Sequence, residues 1–213
     1  MQLTTAETKS LFGGINELGN QLGTKASVVA EAVQRSAGVL KGANISGETG
    51  AALNAVLIKT GSSAEVAATG VRTFVARLGA GEAATKKQLH AFQELGLSAK
   101  AVAKELTSGD SVRAEKQIKE VVKAIGGLAD DKKLPVLIEL FGSESIGSIG
   151  AAATATDLLG QSFAIMGDKA ASATSVQKEF DRVSQTSAVK MAKLKANVEV
   201  LAIEFGEALL PHL

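Results

Sequence analysis

The chain contains no cysteine, no tryptophan and no tyrosine, and only two prolines, Pro135 and Pro211. Without cysteine there are no disulfides, no thiolate metal sites and no cysteine nucleophile. Aromatic residues amount to seven phenylalanines, Lys and Arg are interleaved with Asp and Glu, and the net charge is +1. No basic stripe stands out and no aromatic rings are interleaved with one, so specific nucleic-acid binding is not expected. No run reaches the roughly 18–20 consecutive apolar residues of a membrane-spanning helix. The nearest, SIGSIGAAATATDLLGQSFAIMG from Ser145 to Gly167, is glycine-rich, contains Asp157 and reads as a buried helical hairpin of small residues. The first residues, MQLTTAETKSLFGG, are polar where the apolar core of a secretion signal would stand. Strand signals are nearly absent: no run alternates strictly, and no Asn-Gly or Asp-Gly turn separates β-branched stretches.

What is present is small and helix-forming. Apolar residues make up 46% of the chain, carried by Ala, Leu, Val and Ile, alongside 22 glycines. Rare proline and abundant alanine favour helices packed through small side chains, and the glycines divide them into short pieces. The expected fold is all-α, a bundle of many short helices joined by loops of about two to six residues. One helix carries Val28, Val29, Ala32, Val33, Ala37 and Leu40 on one side, with Thr24 or Ser27 as cap and Gly42 as stop. The next starts at Ser46 and buries Ala52, Leu53, Val56 and Leu57. A third follows a serine cap and turns Val66, Gly70, Phe74 and Leu78 inward, ending at Gly79. A helix near Glu82 to Leu95, with Leu89 and Phe92 on its buried side, ends at Gly96, and Ser98 caps a short one through Leu106. After a turn at Thr107–Asp110, the most charged helix turns Val112, Ile118, Val121, Val122 and Ile125 inward. Pro135 is expected in a first helical turn, where its missing N–H is harmless.

Beyond Gly167 the character changes. From Ala171 to Leu210 the only glycine is Gly206 and there is no proline. Phe180, Ser184, Ser187, Met191, Leu194, Val198, Leu201, Phe205 and Ala208 recur at alternating spacings of four and three. This predicts one long C-terminal amphipathic helix of roughly 35 residues, about 50 Å at 1.5 Å per residue. Its interaction seam runs through Met191, Leu194, Val198, Leu201, Phe205 and Ala208. Ala192, Ala196, Val200, Ile203 and Leu210 widen the apolar face, so the helix must pack on the bundle or on another copy. Gly206 lowers helix propensity by roughly 1 kcal/mol against Ala and permits a bend or a close approach. Two units are therefore expected, a compact bundle over 1–167 and the long helix over 168–213.

No catalytic or metal-binding constellation is legible, and no cofactor is expected. His90 reads as a partly exposed helical histidine and His212 lies at the end of the chain. Neither has a second histidine at helical spacing. Glycine runs such as GSIGAAATATDLLG lack the lysine and the preceding strand of a phosphate-binding loop. Asp130 and Asp131 fall at a helix start, where capping accounts for them. Glu204 and Glu207 flank the seam as solvated positions.

Four stretches resemble the core region of phage tail tape measure proteins. The first is ANISGETGAALNAVLIKTG from Ala43 to Gly61, with Gly47, Gly50, Ala51, Ala52 and Leu53 at the matching positions. The second is HAFQELGLSAKAVAKEL, with the step Leu95–Gly96–Leu97. The third is LPVLIELFGSESIGSIGAAATA, where Leu140, Phe141 and Gly142 form the elbow before a small-residue helix. The fourth is the terminal LKANVEVLAIEFGEALLPHL, through Leu194, Leu201, Phe205, Gly206, Leu209, Leu210 and Pro211. In that frame Gly47, Gly50, Gly96, Gly142 and Gly206 are backbone or packing glycines.

The resemblance implies a non-enzymatic structural module acting in tail-tube length control, tail assembly and genome ejection. It implies a location in the virion tail lumen, and in the host cytoplasm during assembly. The implied partners are tail tube and baseplate proteins, tail assembly chaperones and other copies of itself, with host membrane contact during ejection. Proteins of this kind are commonly much longer, so the chain reads as a piece cut at a natural boundary near Pro211. The alternative is a membrane-active helical toxin or translocator, for which hairpins such as Ile146 to Met166 would serve.

Overall fold

A computed structural model describes residues 5–175 together with 177, 178 and 181. The described residues are helical throughout, with no strand. In chain order they form α1 (Thr5–Leu22), α2 (Ala26–Gly42), α3 (Gly47–Lys59), α4 (Ala64–Leu78), α5 (Lys86–Glu94) and α6 (Ala99–Leu106). These are followed by α7 (Ser111–Gly126), α8 (Asp130–Phe141), α9 (Ile146–Thr154) and α10 (Thr156–Gly167). Short 3-10 turns at Gly81–Ala83 and Ser143–Ser145 precede α5 and α9. The expected long helix over 168–213 lies almost wholly outside the described residues.

Side-chain caps set most helix starts, because the first turn's N–H groups have no partner within the helix. Ser46 accepts from Thr49 N, Ser63 from Val66 N, Ser98 from Ala101 N, and Asp110 from Val112 N and Arg113 N. Thr85 and Gln88 form a reciprocal capping box, so α5 starts at Lys86 and the residues expected to lead into it from Glu82 form the 3-10 turn. Two local expectations fail. Lys25 precedes α2 without a side-chain bond, and neither Thr24 nor Ser27 caps it. α2 ends at Gly42, as expected, and the left-handed residue that follows it is Asn44 (φ 55°). Pro135 lies inside α8, which begins at Asp130; being exposed, it leaves its unpaired i−4 carbonyl near solvent.

The core is organised around α3. Every residue from Thr49 to Leu57 is buried, and α1, α2, α4, α7, α9 and α10 all pack against this helix. A helix buried on all sides needs small residues wherever neighbours cross it. A Cβ on Gly50 would lie 2.3 Å from Leu40 Cδ1, and one on Gly47 3.0 Å from Leu11 Cδ2. Within this apolar surround Asn54 is fully buried. Its Nδ2 donates to Ser36 Oγ (3.1 Å) and to the Gly50 carbonyl (2.9 Å), tying α3 to α2. A second focus joins α4 to α8, where Phe74 and Phe141 stack at 5.4 Å.

The last third is built from equal units. α8 has 12 residues, the 3-10 turn and α9 together occupy 143–154, and α10 has 12 residues. Single residues join them: Gly142, Ala155 and Asp168, each thirteen after the last. Val136, Ile149 and Ser162 occupy equivalent positions and are buried, as are Leu140, Ala153 and Met166. Gly142 (φ 89°, ψ 151°) adopts a backbone open essentially only to glycine, and there the chain bends by 109°. Asp168 accepts from Ala171 N and starts a helical stretch at 169–175 that lies along α1. Their approach is close: a Cβ on Gly13 would overlap the Ser172 carbonyl.

Candidate interaction surfaces

The seam residues Met191, Leu194, Val198, Leu201, Phe205 and Ala208, together with Gly206 and His212, lie outside the described residues. The other four glycines divide into two roles. Gly47 and Gly50 sit where α3 meets Leu11 and Leu40. Gly96 (φ 68°) and Gly142 (φ 89°) sit where the chain turns, with no packing contact at Gly96. The structure does not bring the four together: they serve four separate junctions.

The described surface carries six exposed large apolar side chains: Phe12, Val66, Leu89, Val112, Leu134 and Ile138. Val66, Leu89 and Val112 correct the inward orientation expected from periodicity; Val112 is 73% exposed. Val66 and Val112 stand in the first turn of their helices, and Leu89 follows one turn into α5.

Two open grooves meet at the elbow between α8 and α9. One is lined by Val66, Thr69, Arg72 and Ser148, the other by Thr85, Lys87, Pro135 and Ile138, and both border Arg77 and Glu144. The elbow thus sets exposed apolar residues beside charged and hydroxyl groups, the mixed chemistry of a protein-contact surface. α4, α5, α8 and the 3-10 turn build it from residues far apart in sequence.

The ionisable groups act as helix-to-helix ties. His90 Nδ1 lies 2.8 Å from Glu139 Oε2, and Lys132 Nζ donates to Glu94 Oε2 at 2.7 Å, so both pairs join α5 to α8. The hydrogen bond with Glu139 holds His90 above the ordinary histidine range. The Lys132 hydrogen bond holds Glu94 below the ordinary carboxylate range and raises Lys132 in turn. Arg113 grips Glu105 through two 2.7 Å bonds, which lowers the carboxyl and ties α6 to α7. Solvent screens exposed pairs of this kind, so each contributes little to stability. Among the described residues no three His, Asp or Glu side chains converge as a metal site. Sequence reasoning assigned no role to Glu139 or Lys132, because their partners are 49 and 38 residues away.

Known proteins give these helices a context. The sequence pattern of the phage-related minor tail protein family matches residues 1–142. Over 211 residues, 99% of the chain, the sequence is 31% identical to a "Probable tape measure protein" of Halomonas phage phiHAP-1. The chain spans only 24% of that relative's length. No solved structure matches the chain. The all-helical fold, the small-residue core and these matches lead to one assignment: the chain belongs to the phage-related minor tail protein family, and along nearly its whole length it is similar to a phage tape measure protein.

Proposed function

We infer that this chain is a non-enzymatic structural module of a tape-measure-type tail protein, acting in tail assembly, tube length control and genome delivery. The observation that carries the reading is the match of 99% of the chain to a 24% share of a much longer tape measure relative. The module works in the lumen of the virion tail and meets its partners in the host cytoplasm during assembly. Those partners are tail tube and baseplate proteins, tail assembly chaperones and further copies of the chain. The seam from Met191 to Ala208 and the elbow groove beside Arg77 are the surfaces offered to them. The test is to place Asp singly at Leu194, Val198, Leu201 and Phe205 in the phage and measure tails by electron microscopy. Shortened, aberrant or missing tails are expected; normal tails with all four substitutions would remove the seam from assembly.

One observation supports a second reading, that of a membrane-active helical element. No single described helix is long and apolar enough to cross a membrane, but α8 with residues 143–153 passes on length and composition as a bent pair. Val136, Leu140, Phe141 and Ile149 of that pair are buried in the core, which favours the structural reading. Release of dye from liposomes by the purified chain at low concentration would favour the membrane reading instead.

A further inference from the structure

The helices are not held to one another by the same means. α5 and α8 are tied by His90–Glu139, by Lys132–Glu94 and by Gln88 Nε2 donating to the Leu140 carbonyl. The Glu105–Arg113 fork ties α6 to α7. After Gly142 this changes. Among the described residues no ion pair links 143–175 to the rest of the chain, although Glu144, Asp157, Asp168 and Lys169 all lie in that stretch. Along α1, Asp168 approaches Glu17 with like charge, offset by Lys178. The polar ties there are the Ser175 hydrogen bonds with Asn16 and Glu17, and Lys119 stands over the Phe163 ring.

The packing of this stretch carries defects of its own, beside the unpaired Thr24 Oγ1 and Asn54 Oδ1 elsewhere in the core. A cavity of about 30 Å³ lies at its inner face, between Ile149, Ala153 and Leu159 on one side and Val56, Phe74 and Val122 on the other. Four buried serines, Ser145, Ser162, Ser172 and Ser175, belong to it, and the Ser172 hydroxyl is buried without a partner. A void forfeits dispersion contacts, and an unpaired buried hydroxyl keeps its desolvation penalty. Both lower the cost of opening where they occur. The stretch also has a sharp boundary at the Gly142 elbow.

We propose that residues 143–175 form a strap that opens as one cooperative unit while α2–α8 stay folded, uncovering the apolar faces of α3 and α4. Native proteins open in such units, and the elements that move come from the least stable end. The movement is self-contained in that no ion pair among the described residues must break, while the side chains to be withdrawn are Ile149, Leu159, Phe163, Ile165 and Met166.

Native-state hydrogen exchange of the full chain, followed by mass spectrometry, tests this. Amides of 146–167 are expected to exchange together, tenfold or more faster than those of α3 and α7. A smaller difference, or exchange of 146–167 in step with α3 and α7, overturns the proposal. Ala153→Val, which adds two methyl groups toward the cavity, is the second measurement. It is expected to slow exchange of 146–167 threefold or more and leave α5 unchanged. Equal slowing across all helices overturns the strap as a separate unit.

Discussion

Glycine-to-alanine substitution at three helical positions separates propensity from packing in this fold. Gly38 lies exposed in α2 with no heavy atom within 4 Å of where a Cβ would stand. There alanine gains about 1 kcal/mol of helix propensity with nothing opposing it. At Gly50 the same gain meets Leu40 Cδ1 at 2.3 Å, the movable end of a side chain in a close-packed core. Overpacking of that kind costs about 1–3 kcal/mol, so the net change is a loss of about 1 kcal/mol. At Gly13 the new methyl would stand 1.7 Å from a backbone carbonyl oxygen, that of Ser172, and 2.5 Å from its carbon. No rotamer relieves that contact, so α1 and the 169–175 stretch must separate, at a net loss of about 2 kcal/mol or more. Thermal unfolding reads all three, since about 1 kcal/mol moves Tm by roughly 2–4 °C in a chain of this size. Gly38→Ala is expected to raise Tm, Gly50→Ala to lower it modestly and Gly13→Ala to lower it most. A neutral Gly13→Ala, or a Gly38→Ala as damaging as Gly50→Ala, would refute the packing argument.

Other perturbations probe the remaining contacts. Phe141→Ala removes a fully buried ring stacked on Phe74, and urea unfolding is expected to show a loss of about 3–5 kcal/mol. Because folding raises the His90 pKa, the folded chain holds that proton more tightly than the unfolded one. The stability from this pair is therefore complete below the unfolded value of about 6.5 and fades as pH rises through the raised folded value. Glu139→Gln should lower the His90 titration midpoint measured by NMR, since Glu139 is the largest cause of its rise, and an unchanged His90 titration would rule out the Glu139 contact as the cause. One alanine inserted after Ala151 rotates the rest of α9 by about 100° and turns Ala153 out of the core. The same insertion beside Ala155 only lengthens a joint. The first is expected to lower Tm clearly more than the second, and equal effects would count against the jointed-unit description.

The fold class and most helix starts were legible in the sequence because capping is local: Ser46, Ser63, Ser98 and Asp110 each bond an N–H two or three residues away. α1 was not legible. Its Gly13, Gly14 and Gly19 look like helix breakers, yet Ser172 and Met166 come too close for a Cβ at the first two, and Ala26 packs tightly at the third. A glycine that ends a helix and one that lets another helix approach look the same until the partner is known. Pro135 misled for a related reason: a proline in the sixth position of α8 is tolerated because that face is exposed. Periodicity placed Ile118, Val121, Val122 and Ile125 correctly and failed at Val112, in the first turn, which is exposed. The elbow groove draws on residues from Val39 to Ser148, so no local pattern could announce it.

The jointed units also bear on what this segment contributes to length. On one continuous helix, residues thirteen apart differ by about 220° around the axis. A straight rod over 130–167 would therefore turn Val136 and Ile149, or Leu140 and Ala153, to largely opposed sides. No single neighbouring surface could bury both members of either pair. In the fold all four are buried, because Gly142 and Ala155 re-aim the chain between units. The buried pattern is thus specific to the folded-back form. While that core is intact, the segment's extent follows the dimensions of the bundle and not 1.5 Å for every residue. Under the proposed role in length control, a length counted in residues would come from outside this segment, or from it only after its core has opened.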